Sequence, residues 1–167
     1  LPLCEEGRSQ LYALRDRFTY PEVTTVFSSP LSRAVETAEI LFPGASKKLV
    51  IQDLREMAFG VYEGKEVKSL VKDPDFARWM DPSSGYTPPH AEDTADFHTR
   101  CREVLMHMFE YMMKTQTFEA ACVTHGGVIM SMMAQKAVPV HRPEEWMADP
   151  GCGYTLRMDT SIWMRDG

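Results

Sequence analysis

The stretch Val123-Thr124-His125-Gly126-Gly127 constrains this chain most, because it joins a strand to a helix with nothing between them. Glu119 to Val123 is small and apolar, the pattern of a buried parallel strand, and Val128 to Ala137 reads as a helix. Glycine lets a backbone come close to a ligand, and unpaired N–H groups at a helix start favour negative charge. His125 is therefore delivered to an anion-binding position. Thr24-Thr25-Val26-Phe27-Ser28 repeats the arrangement, with Ser29 as N-cap and Pro30 as the first helical residue. Arg33 then falls in the first turn of a helix running to Leu41, where a guanidinium meets anions as a planar fork.

The rest of the chain continues this alternation. Gly7 to Phe18 is helix-like, with Leu11, Leu14 and Phe18 on one face, and Leu49-Val50-Ile51 predicts a strand after Pro43-Gly44. Residues 64–90 are less regular, with a helical stretch at Val67 to Val71, the aromatic Phe76 and Trp79, and a Pro, Ser and Gly-rich loop from Pro82 to Pro89. Such a stretch suits a lid over a site. Thr94 to Lys114 is the longest helix, with Phe97, Cys101, Val104, Leu105, Met108 and Met112 on one face, and the strand at Ala120 follows it. Tyr154 to Met158 and Ser161 to Met164 predict an edge hairpin. The expected fold is α/β: a three-layer, mostly parallel central sheet with helices on both faces, in a single domain over residues 1–167. Ligands of such sheets sit beyond the carboxyl ends of the strands, where Arg33 and His125 both fall.

Charge narrows the partners. A net charge of -6 argues against nucleic acid, so an anionic substrate needs a local cationic pocket. No apolar run approaches the roughly 20 residues that cross a bilayer, and no signal peptide is visible, which predicts a cytoplasmic protein without a membrane partner. Cys4, Cys101, Cys122 and Cys152 form no Cys-x-x-Cys pair and read as free thiols, with Cys122 a buried small residue of its strand. His90, Asp93, His98 and Cys101 lack a metal-ligand spacing, and Ala45-Ser46-Lys47-Lys48 after Gly44 is not a phosphate loop. No metal, dinucleotide or other cofactor is expected.

Glu56 follows the Ile51 strand and so occupies a third carboxyl end. An arginine to hold a phosphoryl group, a histidine to stabilise its charge and a carboxylic acid to protonate a leaving oxygen suit phosphate-ester cleavage. The bland alternatives are a structural His125, a surface Arg33 paired with Glu36 or Glu39, and a solvated Glu56.

Ser28-Ser29-Pro30-Leu31-Ser32-Arg33-Ala34 with Thr37-Ala38, the segment Glu56 to Gly64, and His125-Gly126-Gly127 resemble the histidine phosphatase (phosphoglycerate mutase-like) superfamily. Pro2-Leu3-Cys4-Glu5-Glu6-Gly7 with Gln10 is similar to its Pro-Leu-Thr-x-x-Gly-x-x-Gln element, and Pro89-His90-Ala91-Glu92 with Arg100 to its Gly-Glu-Ser region. The resemblance implies a phosphomonoesterase acting on a small phosphorylated metabolite through a phosphohistidine. Its nucleophile belongs to an Arg-His-Gly motif that would lie just before Leu1 and is absent here. The roles it implies are Arg33 clamping phosphoryl oxygens, His125 stabilising charge, Glu56 as proton donor and base, the Gly126 N–H as a further phosphate donor, and Phe59 and Tyr62 at the substrate mouth. The Glu56 to His125 interval is shorter than in the mutases of the family, which favours a phosphatase. A phosphoglycerate mutase, or a non-catalytic phosphate-binding domain if the nucleophile is truly lost, are the alternatives. Specificity is expected from residues 64–90 and the loop Val138 to Gly153; oligomeric state has no signature here.

Overall fold

β1 (Thr25–Ser28) lies between β2 (Lys47–Val50) and β3 (Ala120–Val123), and both pairings are parallel. The protein is seen here as a computed structural model in which residues 1–159 are described, the side chains at positions 67, 68 and 82 excepted. Ser28 stands level with Val50 on one side and Val123 on the other, so the three strands end at one height. The residues that follow them emerge together at one rim of the sheet.

All four residues of β1 are buried, as its central place requires. Phe27 turns to the face covered by α5 (Thr94–Lys114) and α6 (Gly126–Lys136), where Leu105, Met108, Val128 and Met132 complete a core. Val26 and Val123 turn to the opposite face, against Ala34 and Ala38 of α2 (Ser32–Leu41). α1 (Glu5–Arg17) backs α2 through Leu11, Ile40 and Leu41. The sheet is thus sandwiched between helices, the expected three-layer α/β arrangement.

α5 forms where its stripe demands. Asp93 caps it, accepting the N–H groups of Ala95 and Asp96 at 2.9 and 3.1 Å, and Phe97, Cys101, Val104, Leu105 and Met108 are buried along it. Burial pushes the Cys101 thiol up to about 11, so it behaves as a small apolar residue.

Several expectations are corrected. The second strand runs from Lys47 rather than Leu49, because an exposed edge strand can carry lysines where a buried one cannot. α2 begins at Ser32, its N-cap is Leu31, and Ser29 and Pro30 precede it. Cys122 is exposed, since among the described residues β3 is also an edge. Tyr154 to Met158 forms no strand, because the Tyr154 ring packs edge-on against Trp146 and its hydroxyl reaches the Met147 carbonyl at 3.1 Å. The second arm of the expected hairpin, Ser161 to Met164, lies outside the described residues.

The irregular region holds a helix besides α3 (Val67–Leu70): α4 (Pro74–Met80), with Pro74 in its first turn and Asp73 capping it. Trp79 on α4 is 0% exposed, stacks with Tyr62, meets Phe59 and Phe76 edge-on, and donates its Nε1–H to the Glu92 carbonyl at 3.0 Å. That anchor makes the segment part of the core instead of a loose lid. Trp79→Ala is expected to cost about 3–5 kcal/mol, read as a lowered urea midpoint of unfolding; a loss under about 1 kcal/mol would show that α4 is not an anchor.

Candidate active site

Each strand end leads to one of the three candidate side chains. Arg33 is the second residue of α2, held by the Thr37 hydroxyl, which donates to its carbonyl at 2.7 Å. Its guanidinium is half-buried and makes no hydrogen bond or ion pair among the described residues. The acid that helical spacing would offer it, Glu36, is taken by Arg8 of α1 at 2.7 Å. The bland reading of a surface pair with Glu36 therefore fails, and a cation is left with its charge uncompensated at the sheet rim.

His125 caps α6 and is 8% exposed. Its Nε2 lies 2.7 Å from the Ser29 hydroxyl, which bridges the ends of β3 and β1. Burial and then the nearby Arg33 cation push the imidazole down to about 4 from its ordinary 6.5, so the ring is neutral at physiological pH. Glu56 comes from the loop after β2. One carboxylate oxygen accepts the Met57 N–H at 2.9 Å and the other the Gly127 N–H at 3.2 Å, so it is tied to the helix that His125 caps. A Cβ at Gly127 would stand 2.6 Å from the nearer Glu56 oxygen, whereas Gly126 has open space.

The loop carrying Glu56 is held from behind. Arg100 on α5 forks onto both Glu92 oxygens at 2.8 Å and gives a further nitrogen to the Asp53 and Arg55 carbonyls at 2.6 and 3.0 Å. Glu92 also accepts the Ala58 N–H at 3.3 Å, and the Thr124 hydroxyl donates to the Leu54 carbonyl at 2.7 Å. Burial alone would raise the Glu92 carboxyl, but Arg100, the Ala58 N–H and Arg55 outweigh it and hold the group below the ordinary carboxylate range.

The structure thus brings Arg33, His125 and Glu56 to one rim, with the Gly126 N–H unused at the start of α6. Phe59, three residues after Glu56, is half-buried against Trp79, its N–H bonded to Glu63. Tyr62 is corrected: it is buried among Phe76 and Trp79 with its hydroxyl directed to Asp73, so it supports the core and does not wall a substrate mouth. Ser29, Gly127, Thr124 and the positioning pair Glu92–Arg100 were not assigned site roles by sequence, although Ser29, Gly127, Glu92 and Arg100 lie in segments that carry the family resemblance and Thr124 in the strand-to-helix stretch. Among the described residues no group of three His, Cys, Asp or Glu side chains could hold a metal ion, and no helix is long and apolar enough to cross a membrane. His98 instead bonds the Ser131 hydroxyl at 2.7 Å between α5 and α6.

The Arg33 guanidinium, the His125 imidazole and the Gly126 N–H are the kinds of group that receive an oxyanion, and the Glu56 carboxyl is of the kind that transfers a proton. A family model described as the histidine phosphatase superfamily (branch 1) matches residues 1–164. The chain is 30% identical over 131 residues to a Hydrogenobacter thermophilus protein that carries a phosphoserine phosphatase name, and 30% over 144 residues to the Danio rerio fructose-2,6-bisphosphatase TIGAR B. These alignments cover 76% and 83% of this chain but 62% and 52% of those proteins. Among solved structures, Bacillus stearothermophilus YhfR is 30% identical with a TM-score of 0.60, over 80% of this chain and 66% of that one.

Two outcomes follow. Arg100→Ala strips the largely buried Glu92 of its two 2.8 Å bonds and leaves it only the Arg55 contact at 3.5 Å and the Ala58 N–H, and is expected to cost about 2–4 kcal/mol in urea unfolding; a loss near that of an exposed pair would contradict the clamp. For His125, the unfolded chain binds a proton between pH about 6.5 and about 4 that the folded chain refuses, so its contribution to stability is lost as pH falls through that window. An NMR titration should place the ring near 4 in the free protein and higher with inorganic phosphate bound, because the dianion favours the charged form. A titration at the ordinary value that phosphate leaves unmoved would refute the site.

Proposed function

The chain belongs to the histidine phosphatase superfamily, and on that premise we propose that it serves a phosphomonoesterase acting on a small phosphorylated metabolite. The observation that carries this reading is the unpaired Arg33 beside a neutral, buried His125, with Glu56 tied to the same helix start. Arg33, His125 and the Gly126 N–H bind the phosphoryl oxygens, and Phe59 borders the entrance for the rest of the substrate. In the scheme the family resemblance implies, the nucleophile is a histidine of an Arg-His-Gly motif that residues 1–167 do not include; as it attacks phosphorus the ester bond breaks, and Glu56 gives its proton to the leaving oxygen. Glu56 then takes a proton from water, which attacks the phosphohistidine, releases inorganic phosphate and restores the histidine. The binding groups gain most as charge builds on the transferring group, which is where fixed dipoles and cations lower a barrier.

Phosphatase names among the relatives support this class over phosphoryl retention, as does the short interval between Glu56 and His125. No metal has a part in the scheme, and the free thiols favour a cytoplasmic setting. Specificity is assigned to the loop from Val138 to Gly153 and to the surface that residues 64–90 present.

In the intact protein, Arg33→Ala and His125→Ala should each lower phosphate release from p-nitrophenyl phosphate by about 10²–10³-fold, with the urea midpoint little changed for Arg33 and lowered for the buried His125, whose removal takes the acceptor of the Ser29 hydroxyl. Near-normal turnover in both overturns the assignment. Isomerisation of phosphoglycerate without phosphate release would identify a mutase, and phosphate binding without turnover a binding domain.

A further inference from the structure

Ser29 follows β1 directly and is 0% exposed. Its Oγ lies 2.7 Å from His125 Nε2 and accepts the Leu31 N–H at 3.3 Å. A hydroxyl has one proton to give, and a sealed hydroxyl needs an acceptor for it. Among the described residues that acceptor is His125 Nε2, since the other partner of the hydroxyl, the Leu31 N–H, can only donate to it. Were Nε2 protonated and donating, the Ser29 proton would be stranded in a closed pocket.

Ser29 therefore donates, Nε2 carries the lone pair, and the ring proton sits on Nδ1. Nδ1 has no partner among the described residues, and it is not one of the polar side-chain atoms sealed from solvent without a partner, which are the Tyr111 hydroxyl and Trp146 Nε1. We propose that Ser29 is a positioning residue that locks His125 in the Nδ1–H tautomer, so that the neutral ring presents an N–H donor to a phosphoryl oxygen. The burial that keeps the ring uncharged fits this role. With its lone pair occupied by Ser29, His125 has no basic nitrogen to offer, and proton transfer falls to Glu56. The lock itself rests only on the Ser29–His125 geometry; its use toward phosphate rests on the phosphatase reading.

Nitrogen-15 labelling of histidine in the intact protein, read by long-range proton–nitrogen spectra near neutral pH, tests it. Wild-type His125 should show a protonated Nδ1 and a bare Nε2, and inorganic phosphate should shift Nδ1. Ser29→Ala should return the ring to a mixture that includes the Nε2–H form and weaken phosphate binding about tenfold. Ser29→Thr, which keeps the hydroxyl, should restore both. A protonated Nε2 in the wild type overturns the proposal, whether or not Ser29→Ala folds, and so does a tautomer that Ser29→Ala leaves unchanged. If the tautomer behaves as expected while phosphate leaves Nδ1 unmoved, the lock stands and the phosphatase reading falls.

Discussion

The fork between Arg100 and Glu92 is the interaction on which the site depends. The loop between β2 and α3 has only short 3-10 turns of its own, and its carbonyls at Asp53 and Arg55 gain their partner from Arg100. Glu92 secures the far side through the Ala58 N–H, so Glu56 is pinned on both flanks. The side chains of Arg100 and Glu92 are 10% and 12% exposed, which makes the pair expensive to desolvate and costly to break from one side only. The same Glu92 accepts the Trp79 indole N–H on its backbone carbonyl, so core packing and the placement of Glu56 share one residue.

The electrostatic arrangement resolves the conflict between an acidic chain and an anionic ligand. Glu36 is spent on Arg8, which frees Arg33 while the surface keeps its overall negative balance. At the rim the cation lies beside a ring that does not compete with it for charge, since burial and Arg33 itself keep His125 neutral. An incoming oxyanion thus finds one full positive charge and several N–H donors already oriented, with little reorganisation required.

Much of this was legible in the residues, and the reasons are physical. β1 and α5 have faces whose burial dictates an apolar pattern, and β3, though an edge, turns Ala120 and Val123 onto the two cores, so their existence and order were readable, and with them the placing of Arg33 and His125 at strand ends. β2 was misplaced by two residues because an open edge imposes no apolar pattern on Lys47 and Lys48. Ser29 resembles an N-cap locally, and only the pairing of β1 with β3 turns its hydroxyl to His125 instead. Tyr62 resembles a pocket residue for the same reason: one chain segment cannot reveal that Trp79 covers it. α4 was missed although Asp73-Pro74 is a start signal, because the surrounding loop composition hid its short apolar face.

Gly126 and Gly127 are neighbours of identical chemistry, yet the molecule treats them differently. Open space surrounds the first, while the second lies under the carboxylate of Glu56, where even one methyl would collide. A side chain at Gly127 would push the Glu56 carboxylate out of its present place, whereas one at Gly126 meets nothing within 4 Å.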